Sequence, residues 1–316
     1  MALSAEHILT LQQLKGIGNS TILKIAESIN KNISSIEALC NLWKSLKGKK
    51  FEEITTNDII RANHIAKDII KRSAKESIGL ISYYDDAFPS NLRNTVDEKG
   101  KLAPPILLWY KGDISIINNH GIAIIGSRNT TKEGIIGGTF ISKEFAKRDF
   151  NIISGLALGA DTSAHIGALN VNGRTIAILA NGLDSESIYP AENRKLSDEI
   201  VNNGGLLLSE YKIGEKANKF TLVARDRLQA GLANATIVIQ TKINGGSMHA
   251  SKATLIAGKP LYAMKYKDDS TNNNENCLGN AHLVTLGAKY ISGNDNLDDI
   301  SNYIRERLSF NNFINF

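Results

Sequence analysis

The chain has 316 residues, 42% hydrophobic and 22% charged, with a formal net charge of +5 and a pI near 9.0. This is a globular composition long enough for roughly two domains; it excludes a disordered chain and is compatible with a polyanionic partner without demanding one. Cys40 and Cys277 match no metal or redox spacing, and the six histidines form no HxxxH or HExxH pair, so neither a metal nor a cofactor is expected.

The start, MALSAEHILTLQQLK, lacks the basic-then-apolar pattern of a signal peptide, and no apolar run approaches membrane-spanning length. A cytoplasmic protein with no membrane partner is expected. Residues 1–76 carry 12 Lys and Arg against 8 Asp and Glu, so most of the basic excess lies there. Apolar positions recur at helical spacing: Ile8, Leu11 and Leu14, then Ile22, Ile25 and Ile29, later Ile59, Ile65 and Ile69. This predicts a small all-α domain of helix-hairpin-helix (SAM-like) type. In it LQQLKGIGNSTILKIAESI reads as helix, hairpin, helix, the second helix capped by Asn19 or Ser20. Lys15, Gly16 and Gly18 are candidate secondary DNA contacts, because hairpin amides touch phosphates without reading sequence. Such hairpins also serve as protein contacts.

Residues 77–120 form an entry segment packing on the sheet: ISYYDDAFPSNL, the turn-rich VDEKGKLAPP, then the apolar run ILLWY. Pro104 and Pro105 force extended backbone before that run.

From residue 121 to 316 strands alternate with helices. Candidate strands are 122–126, 151–154, 175–180, 206–210, 236–240 and 260–264, with helices after Thr131, Thr162 and Arg194. Short apolar strands bounded by helices predict an α/β fold, a mostly parallel sheet covered on both faces. Residues 268–280 are polar enough for a mobile loop, and the terminal FNNFINF is expected to fray or to cover a sheet edge. Ligands of such sheets gather at the carboxyl ends of the strands.

Four segments there carry chemistry. In GIAIIGSRNTTKEG, Gly126 lets backbone approach an anion, Ser127 offers a hydroxyl and Arg128 forks onto phosphate oxygens. The spacing is neither GxGxxG nor GK[ST], so dinucleotide and P-loop chemistry are unsupported. In IISGLALGADTSAH, Ser154 and Gly155 are candidate phosphate donors. Asp161 and His165 read as a capping Asp and a packed His rather than a catalytic pair, since no nucleophile accompanies them. Arg225 and Arg227, set before a short helix, read as one phosphate clamp plus one structural ion pair. In INGGSMHASKATL, Gly245, Gly246 and Ser247 open a helix and form an anion cradle. That turn also resembles the phosphate loop of lysine-decarboxylase-like nucleotide hydrolases. No acidic residue follows before Asp268, which weakens the alternative of a small-molecule-binding or hydrolysing protein.

Taken in order, DAFPSNL, PPILLWYKGD, GIAIIGSR, SGLALGADTSAH, RTIAILANGLDSESIYPAEN, GGLLLSEY, RDRLQAGL, GGSMHAS and GNAHLVTLGAKYI resemble the DprA/Smf family. The resemblance implies an extended Rossmann-like fold, single-stranded DNA bound in a basic pocket, no enzymatic activity, a homodimer, and loading of a RecA-type recombinase. Two positions depart from the family's FxxRNR pattern: Leu222 replaces the aromatic and Asp226 the Asn. The winged helix that many members carry at the C-terminus is expected to be missing, since about 25 residues follow the last strand.

Overall fold

The computed structural model describes residues 3–29 and 32–314, the chain beyond residue 307 by its backbone alone. Five helices open it: α1 (Ala5–Gln12), α2 (Asn19–Glu27), α3 (Ile36–Ser45), α4 (Lys49–Glu52) and α5 (Thr56–Lys75). Asn63 on α5 donates to Glu6 Oε1 at 2.9 Å and Thr10 Oγ1 at 3.1 Å, tying α5 to α1. The cap of α2 is Gly18, with no side-chain hydrogen bond; Asn19 lies inside the helix, its Oδ1 accepting from Gln12 Nε2 at 2.9 Å. Gly16 takes a φ of +76°, which a side chain would strain, so the hairpin needs glycine there.

The remaining elements are β1 (Gly79–Ser82), α6 (Ser90–Arg93), β2 (Leu107–Gly112), β3 (Gly121–Ile125), α7 (Lys132–Ala146), β4 (Asn151–Ser154), α8 (Ala160–Leu169), β5 (Thr175–Leu179), α9 (Arg194–Asn202) and β6 (Leu206–Ser209). They continue as α10 (Lys219–Leu232), β7 (Ala235–Val238), α11 (Ser247–Ile256), β8 (Leu261–Met264), α12 (Asp269–Asn272), α13 (Leu278–Thr285), β9 (Lys289–Ile291) and α14 (Leu297–Ile314). The nine strands form one sheet in the order β1-β2-β6-β5-β4-β3-β7-β8-β9. β2 runs antiparallel to β1 and β6, and the other pairs are parallel. The expected Rossmann-like α/β sheet is present, extended by two antiparallel strands.

Alternate residues of each strand serve opposite faces, as the period of two requires. Ile122 and Ile124 of β3 join Ile141, Phe145 and Ile304 on one face; Ala123 and Ile125 join Leu228, Leu232 and Met248 on the other. The N-terminal helices share a core with the sheet: Ile8, Leu11, Trp43 and Ile69 belong to the same cluster as Leu107, Trp109, Leu179 and Leu207.

The polar stretch 268–280 is ordered by its own side chains rather than left loose. Asp268 caps α12, and Asn272 Nδ2 donates to Tyr266 O at 2.8 Å. Residues 310–314 of FNNFINF extend α14, while 315–316, and with them the expected edge cover, lie outside the described residues. Among the described residues no helix is long and apolar enough to cross a membrane, and no group of three or more His, Cys, Asp and Glu is arranged to hold a metal ion.

Candidate nucleic-acid interface

The chain leaves β3 toward β4 on one side and later returns to place β7 on the other. The carboxyl ends of β3 and β7 are therefore a switch point, where loops diverge and leave a crevice. A cavity of about 400 Å³ opens there, lined by Gly126, Ser127, Arg128, Arg225, Gly245, Gly246 and Ser247 among others. Seven of the ten sequence-derived phosphate candidates thus line one cavity.

The loop after β3 is held by Gln240 from the end of β7. Gln240 O accepts from Ser127 N at 2.7 Å, its Oε1 from Thr131 N at 2.9 Å, and its Nε2 donates to Thr131 Oγ1 at 3.0 Å. A Cβ on Gly126 would come within 2.7 Å of Ala160 Cβ and 2.8 Å of Gln240 O, so the crossing admits only glycine. Arg128 projects from this turn, exposed, with its guanidinium 5.9 Å from the Tyr189 ring centre.

The loop after β7 is fixed from α13. Asn280 Oδ1 accepts from Thr241 N at 3.0 Å, while its Nδ2 donates to Ile239 O at 2.8 Å and Met264 O at 2.9 Å. Ser247 Oγ donates to Thr241 Oγ1 at 2.7 Å. The Gly245 amide is used within the turn, donating to Lys242 O at 3.0 Å. Among the described residues neither the Gly246 nor the Ser247 N–H has a protein acceptor, and α11 has no side-chain cap. Two amides and the positive end of the helix therefore face the cavity, an arrangement suited to an anion.

The third wall is α10, whose start is earlier than the sequence reading placed it. Arg225 and Arg227 lie within the helix, not before it. At helical spacing Lys219, Leu222, Val223 and Asp226 then turn one stripe to the cavity, joined by Lys242 from the β7 loop. Lys219, Lys242 and Gln229 escaped the sequence reading. The i, i+3, i+7 spacing of KFTLVARD could have found Lys219 once the helix start is known.

Arg225 is 5% exposed. Its Nη1 donates to Ile178 O at 2.9 Å and, in the amide orientation that satisfies both neighbours, to Gln229 Oε1 at 3.1 Å. Its guanidinium fills the space above Gly155, where a Cβ would sit 1.4 Å from Nη1. Its buried Nε has no hydrogen-bond acceptor, though Asp226 Oδ1 lies 3.4 Å away.

Two further carboxyls flank this arginine. Asp161 lies inside the first turn of α8 rather than at its cap, which is Gly159; its Oδ2 accepts from Gly155 N at 3.1 Å and Ala157 N at 3.3 Å. Burial pushes its carboxyl up. Burial also pushes Asp226 up to about 6; Arg225 offsets part of this, Asp161 adds to it, and His249 and Arg128 pull it down. His165 is fully buried, bonded through Nδ1 to Thr175 Oγ1 at 2.7 Å, and desolvation lowers its pKa to about 3. It is a neutral packing residue.

Three candidates fall outside the cavity. Ser154 Oγ donates to Ile124 O at 2.6 Å, and the Gly155 amide is taken by Asp161 and Gln229, so neither has a donor left for a ligand. Arg227 pairs with Glu210 through two contacts of 2.7 Å and donates from Nε to Ala103 O at 2.9 Å. Of the two arginines it is the structural one. Lys15, Gly16 and Gly18 are exposed on the α1–α2 hairpin and do not line the cavity.

Residues 79–304 match the model of the family DNA recombination-mediator protein A. The DNA processing protein DprA of Streptococcus pneumoniae is 32% identical over 284 residues, 89% of this chain and 93% of that protein. Protein Smf of Synechocystis is 30% identical, across 92% of this chain and 70% of its own. The solved structure of the S. pneumoniae protein superposes with a TM-score of 0.71 at 28% identity, over 94% of this chain and 98% of that one. A structure of DNA processing protein A from Helicobacter pylori, which concerns that protein's single-stranded DNA binding mode, gives 0.59 at 28% identity, over 73% and 96%.

Proposed function

The chain belongs to the DNA recombination-mediator protein A family, and from that premise we propose that its switch-point cavity holds the phosphates of single-stranded DNA. The observation that carries this reading is the set of donors left open around one cavity: the Gly246 and Ser247 amides and the exposed Arg128. Amide N–H groups and a guanidinium that converge on one cavity offer charge-assisted hydrogen bonds to phosphate oxygens. Gly126, Ser127, Arg128, Arg225, Gly245, Gly246 and Ser247 form the primary site, with Lys219 and Lys242 adding charge. Lys15, Gly16 and Gly18 form a secondary contact on the helical hairpin.

The reading includes no catalytic step. It also includes a RecA-type recombinase and a second copy of the chain as partners, carried by family membership alone. Fluorescence anisotropy with single-stranded DNA, duplex and mononucleotides across a salt series tests the site. Affinity should rise with strand length and fall steeply with salt. Saturable binding or turnover of a mononucleotide without length dependence would favour a small-molecule site instead.

A further inference from the structure

Leu222 in the cavity wall offers no ring to a base, yet two exposed rings stand at the cavity's margin. Phe220 is 73% exposed and Tyr189 46%. Each carries on one face a cation that itself lines the cavity: Lys219 Nζ lies 5.0 Å from the Phe220 centroid, and Arg128 lies over Tyr189. The rings come from different elements, α10 and the loop between β5 and α9, so no single helix pattern accounts for the pair.

Both rings are held by rigid backbone. Asn218 Oδ1 accepts from Phe220 N at 2.9 Å and Thr221 N at 3.1 Å, and Thr221 Oγ1 accepts from Asn218 N at 2.9 Å, closing a capping box around Phe220. Tyr189 is flanked by the buried Ile188. Four residues on, Asn193 donates to Leu156 O and Thr162 Oγ1, both at 2.8 Å.

An exposed aromatic is common by itself. Two of them, joined by their cations to one cavity, match the requirement of a single strand: charge for the backbone and π-faces for the bases that flank it. We propose that Phe220 and Tyr189 are the base-stacking platforms of this chain, receiving the nucleobases on either side of the phosphate held in the cavity. The inference rests on the phosphate reading of that cavity, and it assigns to position 220 the contact that Leu222 cannot make.

The test compares Phe220→Ala and Tyr189→Ala with wild type on two oligonucleotides of equal length, one normal and one abasic, which keeps every phosphate and lacks the bases. Each variant should bind the normal strand about tenfold more weakly, about 1.4 kcal/mol, with an unchanged salt slope. On the abasic strand each should match wild type. Phe220→Trp should restore affinity, and its emission should be quenched when a normal strand binds. Full affinity of folded Ala variants for the normal strand, or an equal loss on both strands, overturns the stacking assignment. Arg128→Ala separates the two readings: if it weakens both strands while Phe220→Ala weakens neither, the phosphate site stands and the platforms fall. If wild type binds neither strand, both fall.

Discussion

Asp226 stands where the family pattern has Asn, and its environment sets a measurable cost. Its carboxyl is pushed up to about 6, mainly by burial, and its side chain is 15% exposed. A raised carboxylate pKa means that the folded state holds its proton more tightly than the unfolded chain does. Stability is therefore greatest below the ordinary value of 3.8, falls as pH rises toward 6, and levels off above it. Linkage sets the loss at about 2 kcal/mol by pH 5 and about 3 kcal/mol by pH 7.5. Asp226→Asn keeps the shape and removes the ionisation. Urea melts of both proteins should show the variant more stable at pH 7.5, with an advantage about 1 kcal/mol larger than at pH 5. The same charge lies at the margin of an anion cavity, so wild-type affinity for single-stranded DNA should fall as pH rises past 6, and the variant should flatten that slope. An advantage equal at both pH values, or a variant less stable at pH 7.5, refutes the assignment. The second result would mean that the carboxylate's attraction to Arg225 outweighs its desolvation.

Arg128→Ala should weaken single-stranded DNA binding by about 1–3 kcal/mol and reduce the salt slope by about 0.7, read by anisotropy at several salt concentrations. Arg227→Ala should do the reverse. Its partner Glu210 is 13% exposed, so the folded state loses about 3–5 kcal/mol in a denaturant melt while DNA affinity of the folded fraction holds. Gly155→Ala should displace the Arg225 guanidinium, because the new methyl would meet Nη1, and both stability and binding should drop together. A variant with native melting and native affinity would show that Arg225 has another place to go.

The parallel core of the sheet was legible because buried strands read as continuous apolar runs. The segments 122–126, 151–154, 175–180, 206–210, 236–240 and 260–264 all became strands, with ends shifted by a residue or two. β1 was not, because GLIS lies in a tyrosine- and aspartate-rich stretch that reads as linker. β2 was visible only as the apolar run ILLWY, with nothing in it to reveal antiparallel pairing to β6. The glycine loops were legible because glycine at a strand end has few other uses. The α10 wall was not. Its cavity face mixes Leu222 and Val223 with Lys219 and Asp226, and its buried face includes Arg225 and Gln229, so it lacks the clean apolar stripe that marks a helix start. Placing that start too late hid Lys219 and left Arg225 and Arg227 looking equivalent, when one fills the space above a glycine and the other binds Glu210.

Side-chain amides explain how three loops with little core of their own form one rigid wall. Gln240 bridges the β3 and β7 loops, Asn280 fixes the β7 loop to β8, Gln229 joins α10 to Gly155, and Asn193 binds the β4 loop to the entry of α9. An amide supplies both a donor and an acceptor without a charge, so it can satisfy two backbone segments at once inside the sheet's dry edge. Lysine or glutamate in these places would add another desolvated charge beside Arg225, Asp161 and Asp226. The charged groups are thus reserved for the cavity, and the neutral ones hold its geometry. The Gly246 and Ser247 amides remain without a protein acceptor beside the cavity.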